Sequence, residues 1–140
     1  MVNTVKWILR ETKKDDYSLI YELIADFFKT DLNVTYLKLE SYDEFIKRNF
    51  SDDSINYTIL NENDEKIGYV HMINNEIGYF MIPEYRGKGI GSKAVKKMME
   101  LNKRPTYFAT IHNKNKESIN LVTKLGFKPK GTIYVKKNEI

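Results

Sequence analysis

The sequence predicts an α+β fold in three layers, a mixed and mostly antiparallel sheet with helices on both faces. Three observations carry that prediction. Apolar residues recur at helical spacing in three separate stretches, and strand-like segments follow one another through the middle of the chain. From Glu76 to Ile111 the order is strand, helix, strand, long enough for a right-handed parallel crossover. The 140 residues, 41% hydrophobic and 13% aromatic, suit a single domain over 1–140, since no linker, repeat or low-complexity block divides them.

A short strand is expected at Lys6 to Arg10. Asp15 or Asp16 can cap a first helix, in which Leu19, Ile20, Leu23, Ile24, Phe27 and Phe28 make a broad apolar stripe. Ser41-Tyr42-Asp43-Glu44 has the form of a capping box, and Phe45, Ile46 and Phe50 give the helix it opens one apolar side. Tyr57 to Leu60, Lys66 to Ile73 and Glu76 to Ile82 then read as an antiparallel meander. Its second connection, Asn74-Asn75, tolerates positive φ and so suits a two-residue hairpin turn. In the third helix Ile90, Ala94, Val95, Met98 and Leu101 share a face, with Lys93, Lys96 and Lys97 between them. Pro105 follows, then a strand with Tyr107, Phe108 and Ile111. A fourth helix is expected from about Lys116 to Leu125, closed by Gly126, with two short strands near Phe127 to Lys130 and Thr132 to Lys136.

Composition excludes several chemistries. Without cysteine there is no disulfide framework, no thiol nucleophile and no cysteine zinc site. Two histidines without nearby acidic partners at ligand spacing give no metal site. Lys+Arg exceed Asp+Glu by 23 − 19 = +4, too mild for the dense basic stripe of a nucleic-acid binder. Lys93, Lys96, Lys97, Lys128, Lys130, Lys136 and Lys137 suit a solvated helix face and sheet edge as well as they suit a nucleic acid. No run approaches the roughly 18 apolar residues of a membrane span, and Met1 to Arg10 lacks a signal-peptide core. A cytoplasmic protein without membrane or nucleic-acid partners is expected.

The informative stretch is Pro83-Glu84-Tyr85-Arg86-Gly87-Lys88-Gly89-Ile90-Gly91-Ser92, where three of the seven glycines fall between a strand and an amphipathic helix. Glycine there permits positive φ and lets a ligand approach the backbone. Helix N-termini hold amides without partners and favour an anion. Arg86 and Lys88 add charge, so the stretch reads as a phosphate cradle, against the alternative of a flexible turn with ordinary capping. A Walker A loop requires Gly-Lys-Ser/Thr after four residues, and a dinucleotide fingerprint requires G-x-G-x-x-G. Gly87-Lys88-Gly89-Ile90-Gly91-Ser92 meets neither spacing. It does fit Arg-x-x-Gly-x-Gly, from Arg86 to Gly91.

On that motif the sequence resembles the GNAT superfamily of N-acetyltransferases. A second motif, Asn115-Lys116-Glu117-Ser118 followed by Lys124-Leu125-Gly126-Phe127, resembles that family's Asn-x-x-Ser/Ala and downstream Gly-Phe. The likeness is strong from Glu76 to Phe127 and weak before about Asn56. It implies the GNAT-like fold, its sheet splayed between the strands at Glu76–Ile82 and Thr106–Ile111, with a pantetheine arm entering the gap as an added strand would. Acetyl-CoA is the implied acyl donor, with no metal. Its pyrophosphate would lie on the amides of Gly87, Lys88, Gly89, Ile90, Gly91 and Ser92, with Arg86 and Lys88 adding attraction. Met81 and Ile82 would supply backbone partners to the arm, and Asn115 and Ser118 match positions that touch it.

The implied reaction is attack of a primary amine on a thioester in a ternary complex. Glu76 resembles the glutamate that serves as base in some members; the alternative is a solvated carboxylate beside a hairpin turn. Many relatives carry a tyrosine where this chain has Val122, so the usual acid for the thiolate is missing. Tyr134, Tyr107 and His112 are replacement candidates, each also readable as structural, and His71 reads as a packed or exposed strand histidine. A non-catalytic acyl-CoA sensor on the same fold is the alternative function. The acceptor could be a small molecule, a peptide N-terminus or a lysine, and edge strands near the C-terminus could support a homodimer.

Overall fold

The computed structural model describes residues 5–33 and 38–138. Strands β1 (Trp7–Glu11), β2 (Ile55–Asn61), β3 (Lys66–Ile73) and β4 (Glu76–Met81) form one antiparallel sheet in that order. The β3–β4 turn is tight because Asn74 and Asn75 both adopt positive φ, 50° and 68°, which places Ile73 opposite Glu76. That register puts Tyr69 opposite Phe80 and His71 opposite Gly78.

Side-chain alternation then divides the sheet between two cores. Ile59, Val70, Met72, Ile77 and Met81 pack with Ile90, Ala94, Val95 and Met98 of α3 (Ile90–Leu101) and Leu121 of α4 (Lys116–Lys124). Tyr69 and Phe80 face the other way, against Ile20 and Ile24 of α1 (Tyr17–Phe28) and Phe45 of α2 (Tyr42–Asn49). The capping box that opens α2 is made at its first half, Ser41 Oγ accepting from Glu44 N at 3.3 Å. In α3 the expected apolar face is buried except for Leu101, which lies in the last turn and is exposed.

Asp16 departs from its expected role. It precedes α1 without capping it; the carboxylate turns inward and is fully buried. Its two oxygens accept from both terminal nitrogens of Arg10 at 2.9 and 3.0 Å, from Thr58 Oγ1 at 2.9 Å and from Lys13 N at 2.8 Å, with Lys66 Nζ at 3.0 Å. Burial alone would raise its pKa, but these donors outweigh burial and hold the carboxyl well below the ordinary carboxylate range. One side chain thereby joins β1, β2, β3 and the start of α1.

The mixed sheet forms only in part. The expected parallel strand at Thr106–Ile111 is reduced to one bridge, Glu76 with Phe108, where Ile77 N donates to Phe108 O at 2.9 Å and Phe108 N to Asn75 O at 3.0 Å. Beyond that bridge β4 and the 109–111 segment make no ladder. The strands expected at Phe127–Lys130 and Thr132–Lys136 are likewise unformed among the described residues. Pro129 has no N–H to give a ladder, and a segment with one bridge offers no continuous edge on which a further strand could pair. Among the described residues, the edge strands expected near the C-terminus are therefore not formed.

Candidate active site

The glycine-rich turn begins where β4 ends. Pro83–Tyr85 make one turn of 3-10 helix, closed by Arg86 N donating to Pro83 O at 3.2 Å. Gly87 and Gly89 then adopt φ of 74° and 78°, and a Cβ built on either would meet no protein atom within 4 Å. The backbone is thus left-handed at both positions and open on the side a side chain would occupy. Gly89 is the N-cap of α3 and supplies no side chain to cap it. The first amide of the helix to find an acceptor is that of Lys93, to Gly89 O at 3.3 Å. Among the described residues, the amides from Gly87 to Ser92 have no loop carbonyl or side-chain acceptor, so the partial positive charge of the helix end faces outward.

Arg86 and Lys88 flank this concavity. Arg86 Nε donates to Met81 O at 3.0 Å, which fastens the loop to the last residue of β4 and leaves the guanidinium exposed. Lys88 Nζ lies 5.9 Å from the centre of the Tyr85 ring, and Tyr85 OH in turn accepts from Asn61 Nδ2 at 3.0 Å. Gly91 lies beside both β4 and α4: a Cβ there would come within 3.2 Å of the Tyr79 ring and 3.6 Å of Leu121.

β4 reaches from this cradle back to Glu76, about 17 Å away at the usual strand rise. Ile77 N bonds toward Phe108 while Ile82 N bonds Ile67 O on β3 at 3.0 Å. Backbone alternation therefore turns Tyr79 and Met81 toward the opening and Ile82 toward β3. Of the two backbone partners expected for an entering arm, Met81 faces the gap, as Tyr79 does, while the Ile82 amide is engaged on the other side with Ile67 O. Asn115 caps α4, its Oδ1 accepting from Ser118 N at 3.2 Å, and Ser118 Oγ lies 2.8 Å from Tyr79 OH. Burial holds the Tyr79 phenol above its ordinary pKa, with the Ser118 hydrogen bond pulling it down.

Glu76 lies at the closed end of the opening. It shares a sheet face with Phe80, which packs edge-on against Phe27 of α1. The carboxylate is half-buried and makes no ion pair among the described residues. On the same face His71 is stacked between Tyr69 and Phe80, and its Nδ1 is buried without a partner. Burial, reinforced by the Arg48 charge, pushes its pKa down to about 4 and keeps the ring neutral. The other candidates are engaged elsewhere or exposed. Tyr107 OH lies within hydrogen-bond distance of Met99 O and Asn102 O, at 3.0 and 2.8 Å, and can donate to one of them; Tyr134 is 92% exposed, and His112 Nδ1 accepts from Lys114 N at 3.1 Å in its own turn. The Tyr79–Ser118 pair was not legible in the sequence, because its partners are 39 residues apart.

A cavity of about 350 Å³ lies elsewhere, lined by Arg10, Asp16 and Lys66, whose charges are satisfied by one another. Among the described residues no group of acidic or histidine side chains could hold a metal ion, and no helix is long and apolar enough to cross a membrane.

A family model described as an acetyltransferase (GNAT) domain matches residues 6–128. No curated protein matches the sequence. Among solved structures, the chain is similar to a GNAT phosphinothricin acetyltransferase from Sinorhizobium meliloti in complex with acetyl-CoA, with 25% identity and a TM-score of 0.74 over 92% of this chain and 77% of that one. A GCN5-related N-acetyltransferase from Kribbella flavida shares the fold at 15% identity, with a TM-score of 0.78 over 91% and 85%. So does a dodecameric spermidine N-acetyltransferase from Vibrio cholerae, at 18% identity and a TM-score of 0.69 over 90% and 81%.

Proposed function

The chain belongs to the GNAT acetyltransferases, enzymes that use acetyl-CoA, and on that premise we propose that it transfers the acetyl group to a primary amine by direct attack within a ternary complex. The observation that carries the proposal is the set of outward amides from Gly87 to Ser92, set at the mouth of an opening between β4 and residues 109–111. The residues fit the donor. Two left-handed glycines leave room for a diphosphate, Arg86 and Lys88 supply full charge beside it, and the gap-facing backbone of Tyr79 and the amide of Met81 can pair with an amide-bearing arm. Asn115 and Ser118 stand at the start of α4, Ser118 within hydrogen-bond distance of Tyr79.

When bound, acetyl-CoA supplies the activated acyl group. The chain must then orient it and manage protons. An amine with a pKa near 10.4 is neutral in only about one molecule in 2,500 at pH 7. Glu76, half-buried and without an ion-pair partner among the described residues, would take that proton, directly or through water. The absence of cysteine from the chain favours direct attack over an acyl-enzyme.

The test is thiol release from acetyl-CoA against a panel of polyamines, lysine, short peptides and amino-sugar antibiotics, alongside calorimetry of acetyl-CoA alone. Turnover with at least one amine is expected. Tight binding with no thiol release for any amine would replace the transferase reading with that of an acyl-CoA sensor.

A further inference from the structure

Acyl transfer leaves a negative charge on sulfur, and α4 presents Val122 where a phenol would serve. Ser118 and Val122 are four residues apart, on one face of α4. Helical side chains lean toward the N-terminus, so a phenol at position 122 would project over the turn that carries Ser118. Another phenol already reaches that turn from the opposite wall. Tyr79 leaves β4 on the face toward α3 and α4, its ring lies against Gly91 at the start of the cradle, and its hydroxyl is 2.8 Å from Ser118 Oγ. The backbone of the same residue faces the opening. Resting on the transferase reading above, we propose that Tyr79 is the proton donor to the departing sulfur, with Ser118 positioning its hydroxyl.

In the step, the nitrogen–acyl carbon bond forms as the carbon–sulfur bond breaks with its electron pair passing to sulfur. Tyr79 Oη gives its proton to that sulfur, and the Ser118 hydroxyl donates to the phenolate as it develops. Tyr79 then recovers a proton from water, while the proton lost by the amine leaves through Glu76 to water, so the products are an amide and a neutral thiol. Burial keeps the Tyr79 phenol protonated across the neutral range, so the donor is loaded before reaction. Tyr107, whose hydroxyl is held by Met99 and Asn102, and Tyr134, which is exposed to solvent, lack this placement.

The experiment compares Tyr79→Phe, Val122→Tyr and the double variant Tyr79→Phe/Val122→Tyr, using the best amine of the panel. Tyr79→Phe keeps the ring against Gly91 and should leave acetyl-CoA affinity, measured by calorimetry, within about twofold, while kcat falls about 100-fold, the scale of a general acid. The double variant should regain at least a tenth of the lost rate, because its phenol lies over the same turn; a purely structural tyrosine would not be rescued this way. In the free protein, ring-carbon NMR should show both buried phenols, Tyr69 and Tyr79, titrating above a free phenol, and Tyr79→Phe should remove one of the two. Full kcat in Tyr79→Phe would overturn the donor role alone, as would an affinity loss that accounts for the whole effect. No thiol release by the unaltered chain with any amine would overturn the transferase reading and the donor role with it.

Discussion

Gly89→Ala separates backbone strain from ligand recognition. Gly89 holds φ at 78°, and the added methyl would point into open space, so nothing in the protein is displaced. The left-handed conformation costs an L residue about 1–2 kcal/mol. For a domain of this size that corresponds to a fall in Tm of roughly 4–8 °C. Affinity should suffer more. The methyl occupies the space through which a diphosphate reaches the amides, and losing a single charge-assisted hydrogen bond costs about 1.5–3 kcal/mol, roughly 10- to 150-fold in Kd. Gly126→Ala is the matched control: φ is 93°, its Cβ also meets nothing within 4 Å, and the residue lies beyond the C-terminal end of α4. Both variants should lose similar thermal stability, measured by calorimetric scanning, whereas only Gly89→Ala should weaken acetyl-CoA binding, measured by titration calorimetry. Equal acetyl-CoA affinities in the two variants would refute the cradle.

Glu76→Gln should lower kcat by at least tenfold with little change in acetyl-CoA affinity, and should remove the acid limb of the pH–rate profile; an unchanged profile would remove Glu76 from the role of base. Asp16→Asn leaves Arg10 and Lys66 facing a neutral group inside the sheet edge, and urea denaturation should show a loss of about 3 kcal/mol. The Asp16 carboxyl is depressed in the folded state, so its contribution is complete above about pH 4 and is lost as pH falls below that. His71 is depressed from its ordinary value to about 4, so the folded state resists its protonation and stability declines as pH falls from about 6.5 toward 4, by on the order of 3 kcal/mol. His71→Phe should flatten the urea midpoint over that window relative to the parent chain; an identical pH dependence in both would show that the ring is solvated.

Much of the fold was legible because its causes are local. The Asn74-Asn75 hairpin, the Ser41 cap, the apolar face of α3 and the glycines before it each depend on residues within about four positions, and the sequence displays all of them together. The glycine spacing alone located the open turn before α3, since a left-handed backbone at a helix start is a property of those few residues. Distant pairings were another matter. That Asp16 turns inward to join three strands, that Ile82 faces β3 while Tyr79 and Met81 face the opening, and that residues 106–111 meet β4 at a single bridge all follow from sheet register. The same register brings Tyr79 to Ser118 across 39 residues. A one-residue slip would send the strand side chains to the opposite face, so only the assembled sheet could decide which phenol meets Ser118.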